Sequence, residues 1–480
     1  MKSNNILIAL LFALFITSCK KIVDVNLPVN YITTAGVFSD STNANSAILG
    51  IYSQLYNYNS SGGNLDWANG GTSVYTGCSS DELIPFNTGF AALLNVYDNN
   101  LTSMNAITNS FFWNNAYSII YQANACIEGL QASKTITTAT KNQFLGEATF
   151  LRDFCYFYLI NLYGDVPYIT SAVNWEQNLK SAKTPENQIY QFLIADLKNC
   201  QVWLKSDYSI SSNERTRANQ FAATALLSRI YLYTSDYKDA ITESSVVISN
   251  SNFSLESNLN NVFSANSNES ILQWELNSSR AYPFNVTTEG YNIQPSYTGG
   301  PPNFYLSKQL LNAFEPGDNR KSTWVDSVIF SGKIYYYPNK YTLGSGDITQ
   351  SSTPPQYYTV LRLAEQYLIR AESEANSGVL TDAISDLNII RARAGLSALP
   401  SNSIKSQVLA EVAQEWRIEF FVEWGHRWLD LKRTQKVDSV MTVITPTKVG
   451  GQAWKTTQKL YPVPITEIHD DPNLTQNPGY

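Results

Sequence analysis

Apolar residues recur every third or fourth position over several long stretches, the spacing of helices with one buried face. Between Ser41 and Leu55, Ala44, Ala47, Ile48, Ile51 and Leu55 share one side. The same spacing predicts helices over Phe111–Leu130 and Lys141–Leu162, the latter through Phe144, Ala148, Leu151, Cys155, Tyr158, Leu159 and Leu162. Thr184-Pro185-Glu186 reads as a helix start, with Thr as N-cap and Pro at the first helical position. Ile189, Phe192, Leu193, Leu197 and Leu204 then form its apolar face. Elsewhere the pattern lapses. Residues 20–40 read as an extended tether, and residues 59–90, rich in Gly and Ser (Gly62-Gly63, Gly70-Gly71), read as long loops.

One unit occurs twice. A helix–turn–helix pattern starts at Arg217, and a second at Thr359; their second helices share Asp239-Ala240-Ile241 and Asp382-Ala383-Ile384. Units of this length, with small residues alternating with Leu, Tyr and Ile, resemble tetratricopeptide repeats. Between the repeats, residues 250–350 turn to Gly, Pro, Asn and Tyr, with short strand-like runs at Ile271–Leu276 and Lys333–Tyr337. The expected fold is therefore mainly α: a tetratricopeptide-like helical scaffold over 41–250 and 355–480, carrying an irregular loop and small-strand insertion over about 251–354.

Charge then narrows the function. There are 33 Lys and Arg against 40 Asp and Glu, a net charge of −7, and charged residues are only 15% of the chain. This balance lacks the positive footprint of a nucleic-acid binder. A surface covered with Asn, Ser, Thr and Tyr instead suits neutral, hydroxyl-rich ligands. At the N-terminus, Lys2 precedes an apolar run from Ile6 to Ile16, of signal-peptide length and too short to span a bilayer. The following Phe15-Ile16-Thr17-Ser18-Cys19 resembles a bacterial lipobox, which implies removal of residues 1–18 and acylation of Cys19. Three of the other four cysteines, Cys126, Cys155 and Cys200, sit in helical apolar patterns, where a free thiol behaves as a small buried hydrophobe; the fourth is Cys78. With two His and no Cys-x-x-Cys, zinc sites of the usual spacing are excluded, and neither a metal nor a cofactor is expected.

Nothing points to catalysis. The chain has no Gly-x-Ser-x-Gly, His-Glu-x-x-His, phosphate-binding loop or dinucleotide fingerprint. Glu415, Glu419 and Glu423 fall at i, i+4 and i+8, close to Arg417, Arg427, Asp430 and Arg433. Paired carboxylates serve glycosidases, but interleaved arginines predict a structural ion-pair network.

Several separated motifs, in order, carry a family resemblance: RDFCYFYLINLYGDVPYIT from Arg152, TPENQIYQFLIADL from Thr184, RANQFAATALLSRIYLY from Arg217, YTVLRLAEQYLIRAE from Tyr358, EWRIEFFVEWGHRWLDLKR from Glu415, and the closing LYPVPITEIHDDPNLTQNPGY. Together, behind a lipobox, they resemble the SusD-like (SusD/RagB) outer-membrane nutrient-binding lipoproteins of Bacteroidetes, over nearly the whole of residues 19–480. The resemblance implies a single domain of tetratricopeptide-like helix pairs with a ligand-binding subdomain. It also implies a lipid anchor in the outer membrane, exposed at the cell surface, and no enzymatic activity. Its implied partners are a glycan ligand and a SusC-like TonB-dependent transporter. Lys20-Lys21 after the Cys is basic rather than acidic, so surface display rests on the resemblance alone. Family members place their ligand sites N-terminal to the first repeats and in the insertion. The aromatic residues there that lie among Gly, Asn and Pro are Trp67, Tyr75, Tyr282, Tyr291 and Tyr297, and these are the candidate sugar platforms. A helical scaffold with no ligand, and a peptide-capturing member of the same uptake system, are the alternatives.

Overall fold

The computed structural model describes residues 34–56, 65–275, 285–297, 299–348 and 355–480; Cys19 and Tyr282 lie outside them. Helices dominate. The principal ones, in chain order, are α1 (Ser41–Leu55), α2 (Gly71–Ser79), α3 (Ala91–Tyr97), α4 (Asn115–Ala132), α5 (Thr138–Tyr163), α6 (Glu186–Trp203), α7 (Gln220–Tyr233) and α8 (Tyr237–Ile248). After α9 (Thr288–Ile293) in the insertion come α10 (Leu363–Ser377), α11 (Leu380–Arg393), α12 (Lys405–Glu419) and α13 (His426–Arg433). Successive helices α4 to α8 pack on their neighbours, α8 then meets α10, and α10 packs on α11 and α12, which is a tetratricopeptide-like stack. α5 is the spine: from Gln143 to Ile160 every residue is buried, as expected of a helix that is largely apolar all round. All four described cysteines are free and buried.

Among the described residues, six short strands pair in twos. They are β1 (Leu83–Pro85) with β3 (Phe304–Leu306), β2 (Ser270–Trp274) with β6 (Tyr358–Arg362), and the hairpin β4 (Val325–Phe330) with β5 (Lys333–Pro338). Each of the first two pairs joins the insertion to the scaffold. The insertion is thus stitched to the helices rather than looped out.

Four sequence expectations change. The tether is already one helical turn at Thr34–Val37 before α1. Residues 65–85 are not open loop, because Gly and small residues let α2 sink into the protein with all nine residues buried. Gly70 enters it at φ +122°, and a Cβ on Gly71 would lie 2.5 Å from the Asp66 carbonyl oxygen, so both glycines are needed for the tight entry. Thr184 is not an N-cap: its N–H bonds Val166 O in a β-bridge, Pro185 takes the cap position, and Asp165 Oδ1 accepts the Glu186 N–H at 2.9 Å. Finally, Tyr358–Arg362 is a strand, not the start of a helix, because β2 is there to pair with it, Trp274 opposite Tyr358 and Ser270 opposite Arg362.

The glutamate series also resolves differently. α12 carries Glu415 and Glu419 but stops there, and the chain then turns through positive φ at Val422 (50°), Trp424 (45°) and Gly425 (73°). Such angles are costly for Val and Trp. The turn is held by Val422 N–H donating to Glu82 (3.3 Å), Trp424 N–H to Ser73 Oγ (2.9 Å) and the Trp424 indole to Thr359 O (2.7 Å). It returns Glu423 to the same cluster. The expected ion-pair network exists, with partners remote in sequence. Glu415 pairs Arg320 and Arg391; Glu419 pairs Arg320, Arg362 and Arg393; Glu423 pairs Arg362 and Lys340. Arg417 and Arg427 instead share Asp81, and Arg433 holds Glu372 and Asp430. Asp81, like the glutamates, is therefore structural.

These groups respond to pH in opposite directions. Burial would raise Glu419, but Arg393, Arg362 and Arg320 outweigh it and hold the carboxyl below its ordinary 4.5. Its stabilisation is complete above that value and is lost as pH falls. Glu289, on α9, has no ion-pair partner among the described residues; burial pushes it up to about 8, and in the folded protein it accepts from Tyr358 Oη at 3.0 Å. Between pH 4.5 and 8 the folded form keeps a proton that the unfolded chain has released, so this group costs stability as pH rises. Glu289→Gln should remove that proton uptake and flatten the decline between pH 5 and 7 by about 1.4 kcal/mol per pH unit. Urea unfolding at each pH checks this; an unchanged slope contradicts it.

Candidate ligand-binding site

α1 presents two faces. Its apolar face enters the core, while Asn45, Leu49, Tyr52, Ser53 and, just beyond the helix, Tyr56 follow the next stripe round. That stripe forms one wall of a cavity of about 580 Å³, within the size range of small-molecule sites. Trp274 and Glu275, at the end of β2, form a second wall, and Ser211, Glu214, Thr216 and Arg217 a third.

Its aromatic wall is fixed in place. Tyr52 and Trp274 meet edge to face at 5.9 Å, and Trp274 packs on Phe154 of α5 at 5.9 Å. Tyr52 Oη accepts the Ala218 N–H at 2.9 Å, and Tyr56 Oη accepts the Thr288 N–H at 3.3 Å, tying the wall to α9. Arg217 is committed to structure: it grips Glu147 through two bonds (2.8 and 2.9 Å) and Asn45 through a third (2.8 Å). The Trp274 indole N–H has no hydrogen-bond partner among the described residues, although the side chain is almost fully buried. Solvent loss and the neighbouring Glu214 raise the Glu275 carboxyl above its ordinary range. Apolar ring surface, carboxylates and hydroxyls together match a sugar's C–H face and hydroxyl rim.

No comparable cation site emerges among the described residues. Glu315, Glu411 and Glu415 do approach one another closely, but the Arg391 guanidinium bonds all three and fills the place of an ion.

A sequence profile of the SusD family matches residues 251–480, and a second, described as starch-binding associating with outer membrane, matches residues 73–232. The chain belongs to the SusD-like family. A SusD-like protein, P2, of Formosa agariphila is 27% identical over 419 residues, covering 77% of this chain and 80% of the relative. A SusD superfamily protein from Bacteroides vulgatus superposes with a TM-score of 0.77 at 22% identity, over 92% of this chain and all of the other. A solved structure described as a laminarin-binding SusD-like protein gives 0.75 at 22% identity, over 92% and 99%. At such identities the likeness establishes the fold alone.

Within this SusD-like fold the candidate aromatics part company. Trp67 is only 1% exposed and packs against Phe154 (5.9 Å) and Tyr158 (5.6 Å). Tyr75, on the buried α2, lies 6.0 Å from Phe112. Both are core residues that do not line the cavity, because the double-glycine turn folds their segment inward; Tyr52, Tyr56 and Trp274 are also largely buried but contribute to its lining. Tyr291 is half-buried on α9, and Tyr297 is 62% exposed with its ring over Gly300. Neither lines the cavity. The wall residues Tyr52, Tyr56 and Trp274 were missed because helix and strand periodicity marks them as packing. One signal was present: Tyr52 and Tyr56 repeat at i, i+4, one step round from the Ile48–Leu55 stripe.

Trp67→Ala should therefore cost about 3–5 kcal/mol of stability, as large core truncations do. Tyr297→Ala should change it by less than about 0.5 kcal/mol. Chemical denaturation of the two variants compares them directly, and a Trp67 variant as stable as the parent contradicts the core assignment.

Proposed function

We propose that this SusD-like protein is a non-catalytic receptor for glycans. In this reading Cys19 carries the lipid that anchors it in the outer membrane, exposed at the cell surface, and captured oligosaccharide passes to a SusC-like TonB-dependent transporter. Family membership supports the setting. Among the described residues no helix is long and apolar enough to cross a membrane, which accords with an anchor at Cys19. The observation that carries the ligand assignment is the cavity at Tyr52, Tyr56 and Trp274, with its hydroxyl and carboxylate rim. The laminarin-binding relative shares the fold and gives the ligand class a precedent.

The cavity takes the place of Trp67 and Tyr75 as the ligand site, while Tyr291 and Tyr297 serve other surfaces of the insertion. An open aromatic cleft binds a solvated neutral sugar weakly, because each contact replaces water; we expect micromolar to millimolar affinity, about −8 to −4 kcal/mol. Ser53 lies half-buried on the cavity wall. Ser53→Arg places a long side chain in the cleft at a helical position that tolerates it. The variant should keep its melting temperature and lose glycan binding at least tenfold in calorimetry, a change of about 1.4 kcal/mol. Parent-like binding by a folded Ser53→Arg variant excludes this cavity as the site.

A further inference from the structure

The Tyr163–Thr170 motif takes no part in that cavity, yet it builds a second one. Thr184 N–H donates to Val166 O at 2.9 Å in the bridge between them, and the chain that follows is pinned at several points. Tyr117 Oη donates to Pro167 O at 2.7 Å. Tyr156 Oη donates to Ile169 O at 3.0 Å and accepts the Ile169 N–H at 2.6 Å, and Asn124 Nδ2 adds a bond to the same carbonyl at 2.9 Å. This holds Tyr168 at the surface. Its ring stacks on Phe192 of α6 with centroids 4.8 Å apart and planes at 25°, and is backed by Tyr156 at 4.7 Å.

Tyr168, Phe192 and Trp203, all half-buried, line a cavity of about 460 Å³ between α4, α5 and α6. Arg152 and Asp196 join them on the lining. Arg152 donates to Asp196 Oδ2 at 2.6 Å and to Asn124 Oδ1 at 3.1 Å. Asp196 keeps 28% of its side chain exposed. A guanidinium–carboxylate pair of this kind offers donors and an acceptor side by side, and Glu128 adds a second carboxylate to the lining, an arrangement that suits vicinal hydroxyls. Rings recessed in a cavity, rather than flush with a flat patch, suit a small ligand better than a protein face.

We propose that this cavity is a second saccharide site, taking a neutral sugar against the Tyr168, Phe192 and Trp203 rings with its hydroxyls on Arg152 and Asp196. The proposal rests on the glycan-binding reading and deepens it. No lining residue is shared with the Tyr52–Trp274 cavity, so each site is mutable separately. Two weak sites on one molecule favour a long glycan over a short one, since the second contact becomes intramolecular.

Crystals soaked with maltotriose, laminaritriose or cellotriose at about 100 mM, enough to fill a millimolar site, should show a sugar ring against Tyr168 and Phe192. Sugar in the Tyr52–Trp274 cavity alone overturns this inference and leaves the proposed function standing. Sugar against Tyr168 alone supports the inference and overturns the first assignment. Density in neither cavity with any of the three overturns both. In solution, Trp203→Ala should retard the protein about tenfold less on polysaccharide affinity gels. Thr170→Arg, at an exposed lining position, does the same without removing a packed ring. If both variants melt like the parent and migrate like it on the gels, or if both alter only association with a membrane partner, the cavity is not a saccharide site.

Discussion

Arg362 spends all five of its N–H groups inside the protein. They reach Glu269, both oxygens of Glu423, and the carboxylate and backbone carbonyl of Glu419, at 2.6–2.9 Å, while the guanidinium lies 3.8 Å over the Phe420 ring. A charge taken so far from water costs several kcal/mol and is tolerable only when every donor is met. The partners come from places distant in sequence: Glu269 just ahead of β2, and the end of α12 with the turn beyond it. Lys340 and Arg320 join from the insertion, and Arg393 from α11. Removing one member strands the others, so the arrangement is close to all-or-none. Its consequence is positional, since it sets insertion against scaffold at one register.

That register reaches the Tyr52–Trp274 cavity through a single strand pair. Arg362 sits opposite Ser270 at one end of β2–β6, and Tyr358 sits opposite Trp274 at the other. Trp274 is then braced by Phe154 from α5 and Tyr52 from α1. The same Tyr358 carries the bond to Glu289 that seats α9, and α9 holds Tyr56. Charge network, strand pair and aromatic wall therefore form one mechanical unit, and a sugar meeting this wall encounters rings that are already ordered, which lowers the entropic cost of binding.

Local pattern was enough for the long helices, because α5 or α7 needs only its own spacing of Leu, Phe and Tyr to be recognised. It was not enough where the deciding partner is remote. Tyr358–Arg362 looks like the first turn of a repeat until β2 arrives beside it. Gly70-Gly71 looks like loop until the close approach of Asp66 shows why no side chain fits. Arg417 and Arg427 look like partners of the neighbouring glutamates, but the carboxylate they reach is Asp81, more than 330 positions away. Trp67 illustrates the same limit for the site: an aromatic among Gly and Asn signals a turn, and only the tertiary structure decides whether that turn points to water or into the core.

The central claim, that the Arg362 cluster holds insertion and scaffold in register and so builds the cavity wall, is tested most directly by hydrogen exchange of Arg362→Met under conditions where the variant remains folded. The amides of β2, β6, the 419–425 turn and α9 should lose protection together, while α4 to α7 keep theirs. Loss of protection confined to the immediate neighbours of position 362, with β2 and α9 exchanging as in the parent, would contradict it.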